Sequence, residues 1–203
     1  MKLLAALLLL CLTSPAFAQT PTPAPVQKWV VDRKKSTIEF KGFKDGKPFT
    51  SAFQSWSADI AFSPDDLKGS SATLTIDTRS ATTGAKTFTE YLVTPGWYDP
   101  EEAPFATFQI QSLTHQRDNL YNANGTLYLY NKAKTVLLPV PGVSLPVFAT
   151  VKGNTAEFRS NFTFAIPDFS KAAIKKKSPF RKINFNMVLK TKKAPDPMPQ
   201  AGK

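Results

Sequence analysis

Along most of this chain apolar residues recur at every second position, and that spacing constrains the fold more than any other feature. A period of two places one set of side chains on one face of an extended segment, whereas a helix needs 3.6. Ser36–Phe43 sets Ile38 and Phe40 against Glu39 and Lys41, and Phe49–Phe62 sets Ala58, Ile60 and Phe62 on one face. Ser71–Thr78 alternates Ala72, Leu74 and Ile76 with threonines, and Phe105–Leu113 alternates Ala106, Phe108 and Ile110 with polar residues. Further strands are predicted at Lys28–Arg33, Leu120–Asn131, Asn154–Ile166 and Lys182–Thr191, with Phe158, Phe162, Phe164, Phe185 and Met187 in step. The short runs TVLLPV and VFATV are read as two strands separated by a loop holding Pro141, Gly142 and Pro146. His115 falls in an expected polar turn, HQRDN. Helical character is confined to about Gly84–Val93, with Phe88, Tyr91 and Leu92 on one side. The fold class is therefore all-β with one short helix, and hairpin-connected strands of this kind curl into a barrel or stack as a sandwich.

A barrel of about eight strands either fills itself with side chains or holds one slender ligand. The expected inward positions mix large residues (Phe40, Phe62, Phe108, Phe158, Phe162, Phe185) with small ones (Ala58, Ala72, Ala106, Ala123, Gly125). Small groups opposite aromatics serve jigsaw packing as well as they serve a tunnel, so alternation alone leaves solid and hollow interiors open.

The first residues point to export. Lys2 precedes the apolar run Leu3–Leu12, and Ala16-Phe17-Ala18 is a small-x-small cleavage site before Gln19. Residues 1–18 are read as a signal peptide, 19–27 as a flexible Pro/Thr-rich leader, 28–193 as one barrel domain and 194–203 as a flexible tail. The only cysteine, Cys11, lies in the signal, so removing 18 of the 203 residues leaves 185 without a thiol. That chain has no disulfide framework, thiolate metal site or cysteine nucleophile, and a bacterial periplasm suits it.

Reactive constellations are equally sparse. His115 is the one histidine, so a zinc or copper site would be almost wholly carboxylate, a poor donor set for either metal. Asp65-Asp66 and Glu101-Glu102 are adjacent pairs in turns and match no calcium loop. Ser80 has no Gly-x-Ser-x-Gly setting, and with Asp99 it reads as a local cap. Trp29, Trp56 and Trp97 read as core anchors. The formal charge is +11, and much of the excess lies between Lys171 and Lys193. Such a face is either plainly solvated or suited to anionic lipid or an acidic protein; an exported protein meets little nucleic acid. Lys175, Lys176 and Lys177 are candidates for contact with a diphosphate or lipid head group.

Several stretches, in order and spacing, resemble the YceI-like family of exported lipid-binding proteins. They are Trp29-x-x-Asp32, Ser36-x-Ile38-x-Phe40, AFQSWSADIAFSPDDL, IDTRSATTG (76–84) and LVTPGWYDPEEAPFATF (92–108), the last with Trp97, Tyr98, Asp99, Pro104 and Phe108. NANGTLYLYNKAKTVLLPV (122–140) is similar to the family's Gly-Leu…Leu-Pro hairpin through Gly125, Leu127, Leu138 and Pro139. The chain departs at Asn131-Lys132, where an Arg-Gly pair is usual, and at Ile166-Pro167-Asp168-Phe169-Ser170, where an Arg commonly precedes Asp-Phe-Gly.

The resemblance implies a lipocalin-like antiparallel β-barrel whose apolar lumen takes polyisoprenoid chains such as quinones, or fatty-acyl amphiphiles. It requires no cofactor beyond that bound chain and no catalysis. A di-haem cytochrome b-type membrane protein is the partner implied by Trp97 and Tyr98, and a homodimer is compatible with it. Under this reading Phe40, Ile60, Leu74, Ile76, Phe108, Ile110, Phe162 and Phe185 are expected to line the lumen. The rivals are a ligand-free scaffold with a basic interaction face and, on weaker grounds, a lipid-acting enzyme.

Overall fold

The computed structural model describes residues 26–44, 47–86, 89–90, 104–131, 136–164 and 183–195. Its strands are β1 (Lys28–Val31), β2 (Thr37–Lys44), β3 (Lys47–Phe53), β4 (Trp56–Ala61), β5 (Ser71–Asp77), β6 (Ala81–Thr82), β7 (Phe105–Arg117), β8 (Leu120–Asn131), β9 (Val136–Lys152), β10 (Thr155–Phe164) and β11 (Ile183–Lys193). β2 and β1 pair in succession with β11, through Asn184–Val188 and Thr191–Lys193. β3 and β4 pair in turn with β2 and β1, and β6 and β5 with β3 and β4. β1/β2, β3/β4 and β5/β6 are thus three interrupted strands, and with β7 to β11 they make an eight-stranded antiparallel barrel closed by β11 on β1. The barrel alternative of the sequence reading is the correct one, and the sandwich is excluded.

The interruptions lie side by side and have a local cause. Asp32 and Asp77 each cap a single 3-10 turn, Arg33–Lys35 and Thr78–Ser80, by accepting the backbone N–H of Lys34 (3.2 Å) and Arg79 (3.0 Å). Arg33 donates across the gap to the carbonyls of Gln54 (2.9 Å) and Trp56, with its guanidinium 4.6 Å from the Trp56 ring centre. The Ser55 N–H donates to Ser80 Oγ (2.9 Å), and Ser36 Oγ accepts from Lys190 N (2.9 Å). Each interruption changes which residues face inward. Trp29 and Val31 precede the first and Ile38 and Phe40 follow it; Phe53 precedes the second, and Trp56, Ala58 and Ile60 follow it. The strand expected over Phe49–Phe62 is accordingly two strands of opposite parity. A bulge between Ile110 and Ser112 does the same for β7, moving the inward positions from Ile110 to Leu113.

Gly125 pairs with Ile110 beside that bulge, where a Cβ would sit 2.1 Å from the Gln109 carbonyl oxygen, so only glycine permits the two backbones to approach. Two further expectations are corrected. The predicted loop around Pro141, Gly142 and Pro146 is part of the continuous strand β9, whose ladder to β8 is kept through Pro139 and Pro146. His115 lies in β7, because the hairpin turn is made by Asp118 (φ 46°) and Asn119 and not by the wider HQRDN segment. Of the expected helix, Lys86, Thr89 and Glu90 are helical, with Thr89 N–H donating to the Ala85 carbonyl.

The core is packed toward one end. Phe62 meets Tyr121 and Phe158 edge-on at 5.3 and 5.5 Å, and Phe158 meets Trp29 at 6.5 Å. The Trp29 indole N–H donates to the Phe62 carbonyl (2.9 Å), which leaves no polar atom stranded by its burial. Ile38, Ala149, Ala156 and Leu189 fill the space around these rings, and Leu67 packs on them from the loop between β4 and β5. That end is closed.

Candidate functional site

Beyond the aromatic plug the barrel is hollow. A cavity of about 460 Å³ runs along the interior, walled by inward residues of the barrel strands. Phe40, Ile60, Leu74, Ile76, Phe108, Ile110, Phe162 and Phe185 all line it. Phe40, Ile60 and Ile76 are buried, whereas Leu74, Phe108, Ile110, Phe162 and Phe185 keep partial exposure although they point inward. An inward aromatic that stays partly accessible faces space that no other side chain fills. Ala58, Ala72, Ala106 and Ala123 lie among them, and their short side chains leave the volume open.

Sequence reasoning missed part of the wall. Phe53, Leu113, Val143, Leu145 and Val147 also line the cavity. The first two sit beside points where parity changes, and the other three lie on or just after the segment read as a loop. For those three the signal was available in the alternation VSLPVFA itself.

The wall is nearly free of polarity. Its described polar residues are Ser71, Thr73, Thr78, Tyr121, Ser144, Ser160 and Thr163, and none is charged. Burial, reinforced by the charge of Asp65, pushes the Tyr121 hydroxyl above its ordinary pKa, so it stays a neutral phenol at the plugged end. Among the described residues the one carboxylate held below its usual range is Asp77, chiefly by hydrogen bonds from the Arg79 side chain (2.8 and 2.9 Å); it belongs to the strand interruption and not to the cavity wall. Chemically the cavity can solvate a hydrocarbon and little else.

The candidates for chemistry are tied to local structure. The Ser80 hydroxyl donates to the Asp77 carbonyl (2.6 Å), and the exposed His115 ring bonds the Asp118 carbonyl (2.9 Å). Among the described residues no group of three or more His, Cys, Asp or Glu could hold a metal ion. Trp29 and Trp56 are buried anchors at 6% exposure each. Lys175, Lys176, Lys177, Trp97, Tyr98, Asp99, Glu101 and Glu102 lie outside the described residues. On the outer surface, Glu157 pairs with Arg159 (3.0 Å) and Lys190, so part of the basic face is internally neutralised.

A closed antiparallel barrel with a hollow whose described lining is apolar and uncharged defines a class of small-molecule binding folds. Residues 29–193 match the YceI-like domain, and the chain belongs to that family. Among solved structures it is similar to Burkholderia cenocepacia BcnA, with 25% identity, a TM-score of 0.67, and coverage of 79% of this chain and 99% of that one. A Campylobacter jejuni YCEI protein shares the fold at 18% identity and a TM-score of 0.58, covering 72% of this chain and 85% of that one. So does a Saccharophagus degradans polyisoprenoid binding domain implicated in plant cell wall breakdown, at 15% identity and 0.55, covering 83% and 99%. No curated protein matches the chain.

Proposed function

We propose that the protein is an exported carrier that shields an isoprenoid or fatty-acyl chain from water in its barrel cavity, binding its cargo without transforming it. The observation that carries this reading is the hollow of about 460 Å³, apolar and uncharged among its described lining residues and kept open by alanines among half-buried aromatics. Each methylene moved from water into such a space contributes roughly 0.8 kcal/mol. A segment of about ten carbons therefore gains up to ~8 kcal/mol before the costs of ordering it, and few polar contacts are needed. The family membership and the polyisoprenoid-binding neighbour support the same ligand class. The signal-like segment 1–18 supports export to a periplasm, where a quinone-like cargo would be exchanged with a membrane partner such as a di-haem cytochrome.

Mass spectrometry of an organic extract from natively purified protein tests the carrier reading, together with uptake of added decyl-ubiquinone followed by quenching of tryptophan fluorescence. A co-purified apolar molecule or saturable uptake is expected. Absence of both would favour the ligand-free scaffold.

A further inference from the structure

The barrel wall is not equally closed all round. β9 and β10 pair from Lys152 opposite Thr155 to Phe148 opposite Arg159, and among the described residues the ladder stops there. Continued in register, it would set Val147 against Ser160 and Leu145 against Phe162, yet no such rungs form. On the other side of β9, Val143–Phe148 keep their rungs to β8, whose ladder is broken only by the bulge that holds Pro141 and Gly142. The composition of β9 accounts for the asymmetry. Pro146 lies in the unpaired stretch and carries no N–H, and because its carbonyl faces β10 the donor it lacks is one this ladder would use. At the fork the Ser160 hydroxyl donates to the Pro146 carbonyl (2.6 Å), a side-chain bond where a backbone rung is missing.

The cavity reaches this gap. Its lining includes Val143, Ser144 and Leu145 on one bank and Ser160, Phe162 and Thr163 on the other. Ser144 and Thr163 are exposed and, by alternation, belong to the outer surface, yet both border the cavity, on opposite banks of the unpaired stretch.

The geometry points to a lateral portal between β9 and β10, through which an apolar chain enters and leaves the cavity sideways. This rests on the carrier reading and names its route and ligand class. The banks offer hydroxyls and, among the described lining residues, no charge, so the portal suits an amphiphile with a neutral hydrogen-bonding end, such as a quinone ring or an alcohol.

The test bridges the banks. In a Cys11→Ser chain, Ser144→Cys and Thr163→Cys are joined by oxidation or by a short bis-maleimide, and loss of free thiol is measured. Decyl-ubiquinone uptake and release are then followed by tryptophan quenching. Bridging is expected to slow both rates at least about tenfold relative to the reduced protein while leaving the equilibrium affinity nearly unchanged. Ser144→Trp, at an exposed position, is expected to slow them in the same sense without any cross-link. Equal rates in bridged, Trp-substituted and unmodified protein would overturn the portal. No uptake by the unmodified chain would instead overturn the carrier reading on which it rests.

Discussion

The two halves of the barrel use the same residues to different ends. At the plugged end, Trp29, Phe62, Tyr121 and Phe158 pack edge to face at 4–6% exposure, and the β9–β10 ladder there is continuous from Lys152 to Phe148. In the hollow half Phe108, Phe162 and Phe185 also point inward, yet they stay half-buried beside alanines and beside the parted β9–β10 wall. The difference shows that inward direction and burial are separate properties. Alternation sets the first. The volume of the opposing side chains and the continuity of the ladders set the second.

Stability should divide the molecule the same way. Phe158→Ala in the plug should cost about 3–5 kcal/mol by chemical denaturation, since it removes a fully packed ring and opens a cavity its neighbours cannot refill. Gly125→Ala should cost about 1–3 kcal/mol, because the new methyl meets the Gln109 backbone and not a flexible side chain. Phe162→Ala in the hollow half should cost less than about 1.5 kcal/mol, as the ring gives up contacts on only part of its surface, while decyl-ubiquinone uptake changes measurably. A loss at Phe162 equal to that at Phe158 would erase the distinction between the halves.

The smallest effect concerns the strand interruptions. Asp77→Asn should cost about 1 kcal/mol or less at neutral pH, through weakened capping and loss of the exposed Arg79 pair. Asp77 has a folded pKa below its unfolded value, so its contribution is complete above the ordinary carboxylate range and is lost as pH falls through the folded value. The difference between wild type and Asp77→Asn, followed by urea denaturation, should therefore shrink on acidification below about pH 4.

Much of this was legible in the residues. Period-two spacing located most strands, and it chose eight positions that all face one cavity. The changes of parity were harder to see, because they depend on side chains reaching distant backbone: Arg33 to Gln54 and Trp56, Ser80 to Ser55. The prolines of β9 were read as a loop because proline interrupts a central ladder. Here Pro139 and Pro146 hold rungs to β8, Pro141 falls in the bulge of that ladder, and part of the ladder to β10 is given up, where proline is tolerated. Alternation could not separate plug from hollow, since both are built from phenylalanines in step.

Filling the hollow tests the central claim most directly. Ala106→Phe places a ring in the cavity at a position that does not pack on the core cluster of the plug. Decyl-ubiquinone binding to this variant, measured by tryptophan quenching in protein shown to be folded by circular dichroism, should weaken at least about tenfold, corresponding to ~1.4 kcal/mol or more. Unchanged affinity in the folded variant would place the ligand somewhere other than the barrel interior and contradict the account.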